Sequence, residues 1–179
     1  MEKSILITGG ARSGKSGLAE RYALAPTGKA IYIATAEVRD SEMADRVATH
    51  KARRGPEWTD MQCPFDIVSA LQKTDGEDPR LVDCLTLWLS NHMLAGNDWR
   101  TETQGLVNVI EKQISPVIFV TNEVGAGIVP ENELARDFRD AAGWLNQSVA
   151  QACEAVVLCV AGYPLKVKPN EHPYQPELA

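Results

Sequence analysis

The chain has 179 residues and a formal net charge of −6. That length suits one domain with a sizeable core, and the acidic balance argues against general nucleic-acid binding. No apolar run reaches the roughly 18 residues needed to span a bilayer, and the four cysteines include no C-x-x-C pair. We therefore expect a cytoplasmic protein with reduced thiols and no stable membrane insertion.

A phosphate-binding loop is predicted near the start of the chain. It follows an apolar run over residues 4–8, precedes a helical pattern over 17–25, and matches G-x-x-x-x-G-K-S/T with Gly9, Gly10, Ala11, Arg12, Ser13, Gly14, Lys15 and Ser16. This order directs backbone N–H groups and a helix N-terminus at phosphate. We expect Lys15 to reach the β- and γ-phosphates and the Ser16 hydroxyl to bind Mg²⁺. The alternative is an ordinary glycine-rich turn, but the pattern predicts a nucleoside triphosphate site.

Beyond the loop, apolar strand patterns alternate with helical ones. Strands are predicted over residues 29–34, 58–62, 81–83, 117–120 and 155–160, and helices over about 41–54, 64–73, 85–94, 101–114 and 132–153. The alternation predicts an α/β fold with a mostly parallel sheet, in one catalytic domain over residues 1–168. From Pro164 onward we expect extended or disordered chain, with a flexible Pro-rich tail over residues 169–179.

The ends of the predicted strands carry candidate site residues. In parallel sheets ligands bind at the carboxyl ends of strands, so Gly9, Thr35, Asp83 and Asn122/Glu123 are expected to converge. Asp83 suits the Walker B acid that holds Mg²⁺, although it could instead cap the next helix. No metal-binding Cys/His cluster is visible, so the metal would arrive with the nucleotide. The missing N-K-x-D signature leaves the choice between ATP and GTP open.

A basic stripe on the second predicted helix contains the most interesting histidine. Arg46, His50 and Arg54 recur every four residues and so share a helix face. Neighbouring cations favour a neutral imidazole, which is a nucleophile. From the residues alone, His50 could equally be a solvent-facing helix residue. We expect His92 to be a packing residue and His172 to lie in the tail.

Several further segments carry a family resemblance when they are taken with the phosphate loop. They are Ile31–Ala36, Glu42–Val47, His50 with Arg53, Arg54 and Trp58, Val82–Trp88, Thr121–Gly125, Gly127–Pro130, and Leu134–Asp140 with Gly143, Asn146 and Gln147. Over about residues 4–168 the chain resembles the bifunctional adenosylcobinamide kinase/adenosylcobinamide-phosphate guanylyltransferase family of cobalamin biosynthesis.

That resemblance implies a P-loop NTPase fold with a RecA-like, mostly parallel sheet and helices on both faces. It implies that the chain phosphorylates adenosylcobinamide and then transfers GMP from GTP to adenosylcobinamide phosphate through a GMP–histidine intermediate. The matching histidine is His50, and Lys15 is the second catalytic residue. The implied substrates are GTP and ATP with Mg²⁺, together with adenosylcobinamide and its phosphate. Family members can assemble as homotrimers.

The resemblance also assigns a nucleotide-binding set. Besides the loop residues 9–16, its members are Ala34, Thr35, Ala36, Lys51, Ala52, Arg53, Arg54, Gln62 and Asp83, with Ser16 and Asp83 at the metal. Gln62 departs from the family pattern, which usually has glutamate there; since an amide can also donate, looser base selectivity is predicted. Two alternatives remain: a simple P-loop small-molecule kinase without guanylyl transfer, and a non-catalytic nucleotide-binding switch.

Overall fold

The fold alternates strands and helices along almost its whole length. This computed structural model describes residues 2–38, 41–52 and 54–169, and of helix α2 it leaves out the side chains of Glu42, Met43, Arg46 and His50. The elements in chain order are β1 Ser4–Gly9, α1 Lys15–Leu24, β2 Ala30–Ala34, α2 Ser41–Ala52, β3 Trp58–Gln62, α3 Ile67–Lys73, β4 Arg80–Asp83, α4 Leu85–Leu94, α5 Trp99–Ile110, β5 Val117–Val120, α6 Glu133–Ala152, β6 Ala155–Val160 and β7 Tyr163–Lys168.

The strands form a seven-stranded sheet in the order β3-β2-β4-β5-β1-β6-β7. Strands β1 to β6 pair in parallel, and β7 pairs antiparallel with β6 at one edge. Strand β5 lies between β1, which leads into the phosphate loop, and β4, which ends at Asp83. The predicted P-loop NTPase fold, with its RecA-like and mostly parallel sheet, is confirmed.

Helices cover both faces of this sheet because successive strand residues point to opposite sides. In β1, Ile5 and Ile7 pack with α1 on one face, whereas Leu6 faces the core formed with α3, α4, α5 and α6. Continuous apolar runs such as Val117–Val120 are therefore buried on both sides. None of the helices in the described ranges combines the length and apolar character needed to cross a bilayer.

Capping residues account for two differences at helix starts. Helix α3 begins at Ile67 rather than at Pro64, because the Asp66 side chain accepts a hydrogen bond from the Ser69 N–H at 3.0 Å. Helix α5 begins two residues earlier than predicted, where the Asp98 carboxylate accepts from the backbone of the first turn. Asp98 lies in the polar segment between the helices predicted over residues 85–94 and 101–114.

The prediction that β6 is the last strand is wrong. Residues 163–168 form β7, and the Lys168 ammonium donates to the carbonyl oxygens of Ala150, Gln151 and Cys153 at 2.9, 2.8 and 2.5 Å. These carbonyls lie at the end of α6, where a cation complements the helix dipole. Residues 170–179, including His172, fall outside the described residues.

A buried polar cluster lies at the edge of the sheet where the parallel strands β4 and β5 begin. Arg80 is fully buried at the start of β4 and contacts the side chains of Asp75 and Gln113. The Asp75 carboxylate also accepts hydrogen bonds from the backbone N–H groups of Ile114 and Ser115. The turn before β4 is thus tied to the loop before β5, and this fixes both strands at their start.

Candidate functional site

The phosphate loop presents a helix N-terminus without a side-chain cap. Helix α1 begins at Lys15, and its N-cap Gly14 has the left-handed φ of 93°. No side chain caps the first turn, so its N–H groups can bind an anion. Lys15 is buried, and its ammonium donates to the Gly10 carbonyl at 3.0 Å. The predicted loop therefore has the geometry of a phosphate site.

The turn between β6 and β7 contacts the backbone of the phosphate loop and supports it. The Gly162 N–H donates to the Ser13 carbonyl at 2.9 Å. A Cβ atom on Gly14 would lie 3.2 Å from Gly162 Cα, and one on Gly9 would lie 2.6 Å from the Cys159 carbonyl oxygen. Glycine at these loop positions thus allows two backbone segments to pack directly against each other.

A cavity opens beside the loop at the carboxyl edge of the sheet. Its walls come from the loop, from the ends of β2, β4 and β5, and from α2; the lining residues are Lys15, Ser16, Tyr32, Ala34, Ala36, Val47, Arg54, Asp83, Cys84, Leu87, Val120 and Asn122. The structure thus brings Lys15, Ser16, Asp83 and Asn122 together, as expected for strand ends of one sheet.

Asp83 ends β4 and faces this cavity. The residue that caps helix α4 is Cys84, without a side-chain cap, so Asp83 does not serve the alternative capping role. Its Oδ2 accepts a hydrogen bond from the Tyr32 hydroxyl on neighbouring strand β2. The Arg54 guanidinium stacks 3.6 Å above the centre of the Tyr32 ring and binds Asp60 at 3.0 Å.

Thr35 is placed behind the cavity wall rather than on it. The residue is fully buried, and its hydroxyl both donates to the Cys84 carbonyl and accepts from the Cys84 N–H, each at 2.8 Å. The Thr35 carbonyl accepts from the Asn91 side chain at 2.8 Å. Its side chain therefore connects the ends of β2 and β4, while Ala34 and Ala36 on either side line the cavity.

The end of β5 is fixed by a smaller network. The Asn122 N–H donates to the Thr86 hydroxyl at 2.8 Å, and the Asn122 carbonyl accepts from the Asn146 side chain at 3.2 Å. Glu123 contacts the loop through its backbone, because its N–H donates to the Gly9 carbonyl at 3.1 Å. The Glu123 carboxylate accepts instead from the Gly125 N–H at 2.6 Å, within its own turn.

Helix α2 carries the residues predicted for nucleotidyl transfer. His50, Lys51 and Ala52 belong to α2, and Val47, one turn earlier, lines the cavity. The His50 side chain and all of Arg53 lie outside the described part of the chain. The role predicted for His50 stays a prediction.

Gln62, at the end of edge strand β3, turns back towards the strand beside it. Its side-chain amide donates to the Ala36 carbonyl at 2.6 Å. Ala36 lines the cavity, so this hydrogen bond fixes the part of the wall that follows β2. A glutamate could make this contact only in its protonated form, because a carboxylate has no donor.

The donor set at the cavity suits magnesium carried by a nucleotide. Ser16 offers a hydroxyl and Asp83 a carboxylate, which are the oxygen ligands that Mg²⁺ prefers, and both line the cavity. Among the described residues no group of three or more His, Cys, Asp or Glu side chains could hold a metal on its own. Two protein ligands with phosphate oxygens completing the shell fit an Mg–nucleotide complex.

Sequence reasoning did not single out Tyr32. Within Ile31-Tyr32-Ile33 it looked like another core residue, and it is indeed buried, with the Trp58 ring edge-to-face at 5.7 Å between centroids. The only available signal was spacing: Tyr32 precedes the strand-end Ala34 by two residues and so shares its face. His92 is a packing residue as predicted, because its buried ring contacts Phe65 and Trp88.

Comparisons with known proteins find relatives that match nearly the whole chain. A family model described as cobinamide kinase / cobinamide phosphate guanyltransferase matches residues 5–167. The bifunctional adenosylcobalamin biosynthesis protein CobP of Pseudomonas aeruginosa is 46% identical over 91% of this chain and 96% of its own length. The bifunctional adenosylcobalamin biosynthesis protein CobU of Salmonella typhimurium is 40% identical over 92% of this chain and 99% of its own length.

Solved structures support the fold. A Pyrococcus horikoshii OT3 protein superposes with a TM-score of 0.51 at 10% identity, over 92% of this chain and 85% of its own. At that identity the likeness concerns the fold alone.

Proposed function

Because the chain belongs to the cobinamide kinase / cobinamide phosphate guanyltransferase family, we propose that this bifunctional enzyme transfers GMP through a covalent intermediate on His50. The first reaction phosphorylates the hydroxyl of adenosylcobinamide. The second transfers GMP from GTP to adenosylcobinamide phosphate and gives adenosyl-GDP-cobinamide. The observation that carries the proposal is the single cavity that joins Lys15, Ser16 and Asp83 to helix α2.

In the kinase step the chain mainly binds and orients. Backbone N–H groups at the start of α1 hold the phosphates, and the Lys15 ammonium exchanges its Gly10 carbonyl partner for phosphate oxygens. Ser16 and Asp83 would hold Mg²⁺, which when bound neutralises charge on the phosphates. The substrate hydroxyl then attacks the γ-phosphorus and releases its proton to solvent. The bond from that phosphorus to the β–γ bridging oxygen breaks, and the nucleoside diphosphate leaves with the electron pair. Positioning supplies most of the rate enhancement.

In the guanylyl step a neutral His50 nitrogen attacks the α-phosphorus of GTP. The bond from that phosphorus to the bridging oxygen breaks, and pyrophosphate leaves with the electron pair. A phosphate oxygen of adenosylcobinamide phosphate then attacks the same phosphorus and releases His50. Lys15 and the cations at the end of α2, including Lys51 and Arg54, offset the charge that develops.

The test is covalent labelling with GTP that carries ³²P at the α-phosphorus, followed by denaturing electrophoresis. We expect acid-labile, alkali-stable label on the wild type and on His172→Ala, and none on His50→Ala. An unlabelled wild type that still phosphorylates adenosylcobinamide would leave a kinase without guanylyl transfer. Label on His50→Ala would refute His50 as the nucleophile.

The same proposal includes four further expectations. The enzyme uses Mg²⁺ and accepts ATP as well as GTP, acts in the cytoplasm, and assembles as a homotrimer. Light scattering coupled to size exclusion tests the assembly, because a trimer has three times the 19.6 kDa mass of the chain. A monomeric mass would refute it.

A further inference from the structure

A tyrosine that has no assigned role touches the carboxylate predicted to hold the metal. Tyr32 lies in β2, where Ala34 is the register partner of Asp83 in β4. Side chains two residues apart in a strand share a face, so Tyr32 is a diagonal neighbour of Asp83. Its hydroxyl donates to Asp83 Oδ2. One of the two carboxylate oxygens is therefore already engaged by the protein.

The Tyr32 ring is held on two sides. The Arg54 guanidinium lies 3.6 Å above the ring centre, and the Trp58 ring packs edge-to-face against it. Arg54 is in turn bound through Nε to Asp60 Oδ1 at 3.0 Å, with only 7% of its side chain exposed. A ring fixed in this way cannot rotate its hydroxyl away from Asp83 without breaking several contacts.

The chemistry of the pair makes the Tyr32 hydroxyl the donor. An ionised carboxylate has no proton to donate, so Asp83 Oδ2 accepts and the phenol donates. A hydrogen bond to a charged acceptor is among the stronger ones in proteins, so it biases the carboxylate towards one orientation.

We propose that Tyr32 is a positioning residue that orients Asp83 for the nucleotide-bound metal ion. Its hydroxyl holds one carboxylate oxygen, which leaves the other for the metal, and the contacts with Arg54 and Trp58 fix the ring that carries the hydroxyl. The proposal rests on the proposed function in one respect, the assignment of Asp83 as the metal acid. Mutation of a residue that orients a metal ligand commonly lowers metal affinity or activity by 10- to 100-fold.

The experiment measures how Mg²⁺ promotes binding of a fluorescent GTP analogue to the full chain. Binding is titrated at a series of Mg²⁺ concentrations and again in EDTA, for wild type, Tyr32→Phe, Asp83→Asn and the matched control Tyr22→Phe. Tyr22 borders a separate cavity with Ile5 and Pro164, away from Asp83. Kinase kcat and KM for adenosylcobinamide are measured in parallel.

For Tyr32→Phe we expect the Mg²⁺ concentration for half-maximal binding to rise about tenfold, while the affinity in EDTA stays at its wild-type value. The unfolding midpoint should fall, because a hydrogen bond to a carboxylate is lost. The kcat should fall while KM is unchanged, because the metal acts on the reacting phosphates. Tyr22→Phe should behave as the wild type. If Tyr32 had a merely structural role, the variant would instead show a lower EDTA affinity or an unchanged Mg²⁺ dependence.

The outcomes separate this proposal from the one it rests on. If Tyr32→Phe keeps the wild-type Mg²⁺ dependence while Asp83→Asn loses it, the positioning role is wrong and the metal assignment stands. If Asp83→Asn also keeps it, Asp83 is not the metal acid and both assignments fail.

A second variant tests the ion pair that holds Arg54 against the Tyr32 ring. Asp60→Asn weakens this ion pair and keeps the Tyr32 hydroxyl. We expect a shift of about two- to threefold in the same direction, since the lost ion pair is partly exposed. A wild-type Mg²⁺ dependence would show that the ion pair between Asp60 and Arg54 does not help to fix the ring.

Discussion

Replacing Gly9 by alanine should destabilise the protein before any nucleotide is present. Gly9 ends β1 with φ 153°, a region that other residues adopt at a cost of about 1–3 kcal/mol. The added Cβ would lie 2.6 Å from the Cys159 carbonyl oxygen and 2.7 Å from Ser13 Oγ. Relieving such overpacking costs about 1–3 kcal/mol more.

The two costs add to about 2–6 kcal/mol, because conformational strain and overlap arise from different atoms. For a domain of this size each kcal/mol lowers the unfolding midpoint by roughly 2–4 °C, so a decrease of at least about 4 °C is expected. Gly10→Ala is the matched control. Its Cβ would have no other atom within 4 Å, and Gly10 lies outside the left-handed region.

Thermal unfolding of the nucleotide-free protein, followed by circular dichroism, tests this pair. Gly10→Ala should unfold within about 2 °C of the wild type, as typical exposed substitutions do. An unfolding midpoint of Gly9→Ala that equals that of Gly10→Ala would refute the reasoning. It would mean that the loop can move away from β6 at no cost.

Three further predictions concern contacts around the site and the sheet edge. Lys168→Met should lower the local stability of β7 by about 1–3 kcal/mol, because the variant lacks the ammonium that donates to the carbonyls at the end of α6. Hydrogen exchange of the β7 amides measures this loss, and unchanged protection of those amides would contradict the prediction. Gln62→Glu should lower the free energy of unfolding by about 1 kcal/mol at pH 8, since a carboxylate cannot donate a hydrogen bond to the Ala36 carbonyl. The loss should shrink near pH 4, where the carboxyl gains a proton. Urea unfolding of the variant and the wild type at both pH values measures the difference. Burial raises the pKa of the Asp75 carboxyl, but hydrogen bonds from backbone N–H groups and the Arg80 guanidinium outweigh burial and hold this pKa below its ordinary value. The ionised carboxylate therefore stabilises the fold above about pH 4, and this stabilisation is lost as pH falls further. Asp75→Asn should flatten the acid limb of the curve of stability against pH, and an equally steep limb would exclude Asp75 as its source.

The parts of the fold that apolar patterning controls could be predicted from the sequence. Strand β5 is apolar at every position and buried on both faces, so its limits, Val117–Val120, were predicted correctly. Strand β7 was missed because its side chains are mostly exposed and it contains Pro164, which is tolerated at a sheet edge. Strand β7 is held by its antiparallel pairing with β6 and by the contact of Lys168 with the end of α6, and no local pattern reveals either.

The candidate site divides in the same way. The placement of the phosphate loop and Asp83 at one cavity could be predicted, because the sequence pattern has particular residue types next to strands. Tyr32 was not, since its role depends on the register of β2 against β4. Thr35 was expected at the site from its place at a strand end, but its side chain lies behind the cavity wall, where the hydroxyl hydrogen-bonds with the Cys84 backbone.

The hydrogen bond from Gly162 to Ser13 has a consequence for biosynthesis of the enzyme. The loop that faces the phosphates is translated first, but the turn that supports it is translated after β6. A nascent chain that ends before this turn already contains every strand end around the cavity, yet its phosphate loop lacks backbone support. Ribosome-bound intermediates should therefore bind nucleotide more tightly once the β6–β7 turn has emerged, which makes GTP a better ligand for the finished domain than for its folding intermediates.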